Sequence, residues 1–233
     1  MKLCMFSPKG KDLARGWPGR IDGDRVVQLA AQTLSAFFTG GGRAREHAEY
    51  ALADVDLRAP VMSPPSIRVF PWLGPTDFWF GNTASIRGPE DEVAVPEGSA
   101  GVDYGLALAA VIGADGAIAG FTLANTWTAA GLEGVKSRDF ATSIGPVLVT
   151  PDEFPGDTGA LVARVDGEER SKVDLGTLAH PWSELAAHAV RNTRLRPGDL
   201  LIVDAGAGVH ELRPGQLCEI EAEGIGVLRN RIA

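Results

Sequence analysis

The sequence predicts a mostly β protein of the α+β class, and three observations carry that prediction. Gly and Pro number 29 and 15 among 233 residues, a share that favours many turns between short strands over long helices. Apolar residues recur in short runs, several alternating with period two, as in Leu161-Val162-Ala163-Arg164-Val165. Helical spacing is confined to a few segments, with no internal repeat, low-complexity tract or heptad.

In chain order, Met1 to Phe6 and Arg25 to Leu29 read as strands around Asp22-Gly23, a hairpin signal because Gly tolerates the positive φ such turns need. Gln28 to Phe38 carries Leu29, Gln32/Thr33 and Ala36/Phe37 at helical spacing and stops at Gly40-Gly41-Gly42. Arg43 to Asp54 reads as a second short helix. Pro60, Pro64 and Pro65 then mark a connection, so the expected division is a small N-terminal α/β domain over 1–62 and a larger β domain over 63–233. Expected strands of the latter are Phe78 to Asn82, Val93 to Val95, Tyr104 to Gly113, Ile118 to Thr126, Ile144 to Thr150, Leu161 to Val165, Leu200 to Asp204 and Leu217 to Ile220. Gly113-Ala114-Asp115-Gly116 is a turn between two of them. Pro181 to Arg191 is the best helix, with Pro in the first turn where a missing N–H costs nothing.

Composition narrows the function classes. Apolar residues make up 45% and charged residues 22%, ordinary for a globular chain that buries a core. A net charge of −8 without a Lys/Arg cluster offers no footprint for a phosphate backbone, so no nucleic-acid partner is expected. Cys4 and Cys218 stand at opposite ends, neither a disulfide framework nor a metal-ligand pattern, and read as reduced, packed thiols. Lys9 and Lys11 interrupt the N-terminal region before a signal-peptide core can form, and no apolar run reaches the roughly 20 residues needed to span a bilayer. A cytoplasmic protein with no membrane contact is the expectation.

The motifs are more specific. Asp103-Tyr104-Gly105-Leu106-Ala107-Leu108-Ala109-Ala110-Val111-Ile112-Gly113 is similar to D-Y-E-x-E-L-A-x-V-I-G, and Gly120-Phe121-Thr122-Leu123-Ala124-Asn125-Thr126 to G-Y-T-x-x-N-D. Lys136-Ser137-Arg138-Asp139, followed by Gly145-Pro146, is similar to K-S-F-D…L-G-P. Arg196-Pro197-Gly198-Asp199 and the closing stretch from Leu212 to Asn230 complete the order. Together they resemble the fumarylacetoacetate hydrolase family over about Ile67 to Asn230. The resemblance implies a mixed β-sandwich roll, a homodimer, and cleavage, decarboxylation, hydration or isomerisation of small 1,3-dicarbonyl or 2-oxo acids. It also implies a Mg²⁺ or Mn²⁺ ion held by the two Glu of E-x-E and the Asp after Asn.

Those ligand positions read Gly105, Ala107 and Thr126, which removes the carboxylates a hard cation needs. The segment Pro71 to Asp77 lacks the family's His, Ala130-Gly131 stands where Arg-Asp is expected, and Asp204-Ala205-Gly206 replaces a G-T-P turn. The expectation is therefore a site with no metal and no other cofactor.

Three residues remain as candidates for chemistry. Lys136 stands where the family keeps a substrate-facing Lys; as a buried ammonium it would stabilise an enolate, and otherwise it is a structural ion pair with Asp103 or Asp139. His210 in a Gly-rich loop is a candidate general base, and Asp204 a group that orients the base or moves the proton. Candidate substrate contacts are Thr126, Trp127, Arg138, Trp79 and Asp103. Trp72, Phe78 and Phe80 crowd the segment that lost its His and suggest an aromatic pocket, or simply filled volume. His47, His180 and His188 read as structural. The leading reading is a metal-independent small-molecule enzyme acting through an enolate as cyclase, isomerase, decarboxylase or C–C lyase, in the manner of a biosynthetic enzyme. The other is a non-catalytic protein of the same fold that binds a ligand or supports a partner subunit.

Overall fold

A computed structural model describes residues 1–11, 13–206 and 211–233. Its main feature is a 12-stranded mixed sheet. In spatial order the path runs through Glu46–Ala51, Arg25–Leu29, Trp17–Asp22, Lys2–Pro8, Thr142–Val149, Ile118–Thr126, Leu106–Ile112, Leu200–Asp204, Ile67–Pro71 and Trp79–Phe80. Val55–Arg58 pairs with Lys2–Pro8, and Ile86–Arg87 pairs in parallel with Thr142–Val149. A four-stranded antiparallel sheet joins Glu168–Asp174, Ala160–Val165, Leu217–Ala222 and Gly226–Arg231. A two-stranded ribbon, Val102–Asp103 with Thr128–Ala129, closes one end of the central strands. The mostly β, α+β class predicted from the sequence is what the chain adopts.

The central strand shows why an uninterrupted apolar run forms here. All of Leu106–Ile112 is buried. Leu106, Leu108, Ala110 and Ile112 face one core with Phe121, Trp127 and Trp182, while Ala107, Ala109 and Val111 face a second with Leu3, Ile67, Ile144 and Ile202. A strand covered on both faces has no polar face to present, so alternation is lost and length and flanking glycines mark it instead. Ala160–Val165 keeps strict alternation because only every second residue is buried.

Two expected helices change. Between Gln28 and Phe38 the chain remains extended to Leu29, and the helix is Leu34–Thr39, capped by Thr33 Oγ1 accepting from the Ala36 N–H at 3.0 Å. The expected helix from Arg43 to Asp54 is an edge strand, Glu46–Ala51, ending in a 3₁₀ turn at Leu52–Asp54. Its residues are mostly exposed, so no apolar stripe was available to dock a helix. Cross-strand ion pairs, Arg25 to Glu49 at 2.6 Å and Arg20 to Glu46 at 2.7 Å, suit pairing on the sheet edge. The expected helix after Pro181 is present as Trp182–Ala189, its Trp182, Leu185 and Ala189 facing the core.

The hairpin turns behave as their residues require. Gly23 has φ +61°, and Asp115 and Gly116 have φ +56° and +75°. Cys4 and Cys218 are free and buried, and burial pushes both thiols up to about 12, which keeps them inert near neutral pH. Among the described residues no helix is long and apolar enough to cross a membrane.

Candidate functional site

Three neighbouring strands end at one place. Leu106 lies opposite Asn125, Ala107 opposite Asp204, and Thr126 opposite Thr142, so Gly105, Thr126 and Asp204 converge where the central strands meet the two-stranded ribbon. They line a cavity of about 240 Å³ together with Trp79, Asp103, Tyr104, Trp127, Arg138 and Thr142.

Asp204 is the chemical centre of this cavity. Its Oδ2 accepts from Thr126 Oγ1 at 2.6 Å and its Oδ1 from the Gly206 N–H at 2.7 Å. Protein atoms surround the carboxyl closely although the residue as a whole stays partly exposed through the cavity. This desolvation raises its pKa above the ordinary carboxylate value. The hydrogen bonds from Thr126 and Gly206 and the charge of Arg138 act in the opposite direction without cancelling the effect.

Gly105 makes room for that carboxyl. A Cβ at this position would lie 2.0 Å from Thr126 Oγ1, 2.8 Å from the Thr126 carbonyl oxygen and 3.0 Å from Asp204 Oδ2. The Gly105 N–H is held by Asn125 Oδ1 at 2.9 Å, which fixes the backbone where it comes closest. Gly105→Ala should therefore force strands apart, with a stability loss of about 1–3 kcal/mol in urea unfolding. An unchanged unfolding midpoint would contradict this packing.

The remaining walls are fixed by their own contacts. Trp127 is fully buried and donates from Nε1 to Ser143 Oγ at 2.9 Å. Asp103 Oδ1 accepts from the Glu211 N–H at 2.8 Å, and Tyr104 shares a 2.7 Å hydrogen bond with Ser171 Oγ. The Arg138 guanidinium lies 4.9 Å from the Trp79 ring centroid, and no carboxylate among the described residues forms an ion pair with it. Stacking on an indole leaves the in-plane N–H donors of an Arg available.

Asp204, Thr126, Trp127, Arg138, Trp79 and Asp103, all expected from the sequence, thus line one cavity. Lys136 is not among the lining residues. The expected buried ammonium is instead on the 3₁₀ turn Gly134–Ser137, 79% exposed and paired with Asp139 at 2.7 Å, because that turn directs the side chain outward. His210 lies outside the described residues. Tyr104 and Thr142 were missed as lining residues; Tyr104 directly follows Asp103 in the first motif, whereas nothing in the sequence marks Thr142. The crowded aromatics divide: Trp72 is core, hydrogen-bonded through Nε1 to Thr177 Oγ1, while Phe80 is exposed.

The three positions where the family resemblance implies metal ligands do not fit a divalent ion. Gly105 and Ala107 offer no side-chain oxygen, Ala107 faces the second core, and the Thr126 hydroxyl is committed to Asp204. Among the described residues no three His, Cys, Asp or Glu side chains are grouped to hold a metal.

Residues 43–233 match the family model for the fumarylacetoacetate hydrolase C-terminal domain. The chain belongs to the fumarylacetoacetate hydrolase family. Among relatives, an uncharacterised protein of Methanocaldococcus jannaschii is 34% identical over 167 residues, covering 64% of this chain and 70% of its own. The human mitochondrial oxaloacetate tautomerase is 29% identical over 176 residues, covering 64% of this chain and 56% of its own. This family member thus spans little more than half the length of some curated relatives. The solved fumarylacetoacetate hydrolase of Exiguobacterium antarcticum superposes with a TM-score of 0.85 at 21% identity, covering 100% of this chain and 99% of that one. The fold of this family is therefore shared throughout, and its relatives include hydrolases, isomerases and tautomerases that act on small molecules.

Proposed function

We propose that this protein is a metal-independent enzyme that moves a proton at the carbon beside a carbonyl in a 2-oxo acid or 1,3-dicarbonyl substrate. The observation that carries the proposal is the Asp204 carboxyl, held by Thr126 and Gly206 in the space that Gly105 leaves open. A desolvated carboxyl with a raised pKa is a stronger proton acceptor than an ordinary carboxylate and can return the proton it takes. In the proposed step, ionised Asp204 takes a proton from the α-carbon, and the C–H electron pair forms a C=C bond. The carbonyl π pair then moves onto oxygen as an enolate. Arg138 holds the substrate's carboxylate and offsets the negative charge that develops. Return of the proton to a different atom gives isomerisation; loss of a carbon substituent instead of the proton gives decarboxylation or C–C cleavage. The similarity to an oxaloacetate tautomerase supports the first of these outcomes.

Exchange of the pyruvate methyl and oxaloacetate methylene protons in D₂O, followed by ¹H NMR, tests this reading. The protein should accelerate exchange; a non-catalytic ligand-binding member of the family would leave the spontaneous rate unchanged. Arg138→Ala should raise KM by about 10- to 100-fold, the equivalent of one charged hydrogen bond, with a smaller change in kcat. An unaltered KM would remove Arg138 from the site.

A further inference from the structure

The cavity does not end at Arg138. A wider trough of about 770 Å³ continues outward from it, and the two share Trp79, Gly81 and Arg138. Trp79 and Phe80 line it from the short edge strand, and Val135 lines it from the Gly134–Ser137 turn. Phe80 is 67% exposed and Val135 76% exposed, side chains that ordinarily gain by leaving water. The trough's acid, Asp139, is already paired with Lys136, so among the described lining residues the only formal charge without an ion-pair partner is Arg138, at the junction. That gives Lys136 a position in the site without contact with the reacting atoms.

The two compartments differ in chemistry. The inner one is small and holds the Asp204 and Asp103 carboxyls, the latter accepting from the Glu211 N–H, with the Thr126 hydroxyl and, at its mouth, the Arg138 charge. Its volume equals roughly eight waters at liquid density, enough for a short oxo-acid head and below the 300–1,000 Å³ typical of pockets for larger ligands. The outer one is open and walled by aromatic and aliphatic surface. We infer that the substrate is a 2-oxo or 1,3-dicarbonyl acid whose anionic head is seated at Arg138 and Asp204 and whose apolar, ring-sized tail lies in the trough against Phe80, Trp79 and Val135. This specificity rests on the proton-transfer reading of the inner cavity and adds to it the class of substrate. Charge complementarity sets the direction: an inverted substrate would place its carboxylate against apolar walls and its ring beside Asp204.

The test compares pyruvate with phenylpyruvate, which carries the same head and an added phenyl ring. Isothermal titration of the full chain should show phenylpyruvate binding about 10- to 100-fold more tightly than pyruvate, the gain expected for burying one ring. Phe80→Ser and Val135→Ser alter exposed side chains and should leave the fold and pyruvate affinity intact while removing most of that gain. Equal affinity for the two acids, a gain that survives both substitutions, or no binding of either acid would overturn the inference. Parallel exchange of the pyruvate protons in D₂O separates this failure from failure of the proton-transfer reading. Exchange without tail discrimination rejects the trough alone, whereas discrimination without exchange rejects the chemistry and keeps the trough.

Discussion

Asp204→Asn should lower kcat for proton transfer by about 10²- to 10⁴-fold, the usual contribution of a positioned acid–base group. It should do so without unfolding the protein. The amide oxygen can still accept from the Gly206 N–H, and the amide nitrogen can donate to Thr126 Oγ1, whose hydroxyl is free to turn. Stability should move the other way from activity. Because burial raises the folded-state pKa of Asp204, protonation favours the folded form. Its stabilising contribution is fully present below the ordinary carboxylate pKa and is lost as pH rises through the raised value. The variant cannot ionise there, so it should match the wild type in acid and exceed it in unfolding midpoint above that range. Wild-type kcat/KM should rise over the same window, since the base acts when ionised. Urea unfolding and initial rates across pH 4 to 9 measure both trends; parallel pH dependence of stability in the two proteins would remove Asp204 as the titrating group.

Asp199→Ala should cost about 3–5 kcal/mol, the penalty for stranding one member of a buried ion pair. Asp199 and Arg68 are 2% and 6% exposed, 3.7 Å apart, and linked through Ser66, whose Oγ donates to Asp199 Oδ1 at 2.8 Å and accepts from Arg68 Nη1 at 2.6 Å. Asp199 Oδ2 also accepts from the Arg196 N–H at 2.7 Å, closing the Pro197-Gly198 turn. Removing the carboxylate would leave a buried guanidinium without its counter-charge, on the strand Ile67–Pro71 beside the site. For a chain of this length the loss corresponds to a fall in Tm on the order of 10 °C. The effect should extend to the trough, because the Arg68 guanidinium lies 5.6 Å from the Phe80 ring centroid and 5.8 Å from that of Phe78. Differential scanning calorimetry measures it; a Tm within one or two degrees of wild type would show that water or another group replaces Asp199.

The sequence exposed different parts of this molecule to different degrees. Strands announced themselves through alternation, as in Leu161–Val165, or through apolar runs bounded by Gly, as in Leu106–Ile112, because burial on one face or two leaves that mark directly. Glu46–Ala51 did not, since an exposed edge strand is held by partners more than twenty residues away in sequence, Arg20 and Arg25. Motif order led to Thr126, Trp127, Arg138 and Asp103, and the structure gathers them with Asp204 around one cavity. Spacing could not say which way Lys136 points, because the direction of a side chain on a single 3₁₀ turn depends on the surrounding packing. Gly105 read as the loss of a ligand; only the three-dimensional contact with Thr126 and Asp204 shows that its missing side chain makes space for a carboxyl arriving from another strand.

Proton transfer at this site should run through Asp204 and need no divalent ion. The most direct measurement is deuterium exchange into pyruvate and phenylpyruvate by chelator-treated protein, wild type and Asp204→Asn, before and after addition of Mn²⁺. Full wild-type exchange is expected in the presence of chelator, with no gain from Mn²⁺ and loss of exchange in Asp204→Asn. Exchange that appears only with Mn²⁺, or that proceeds equally in the variant, would contradict it.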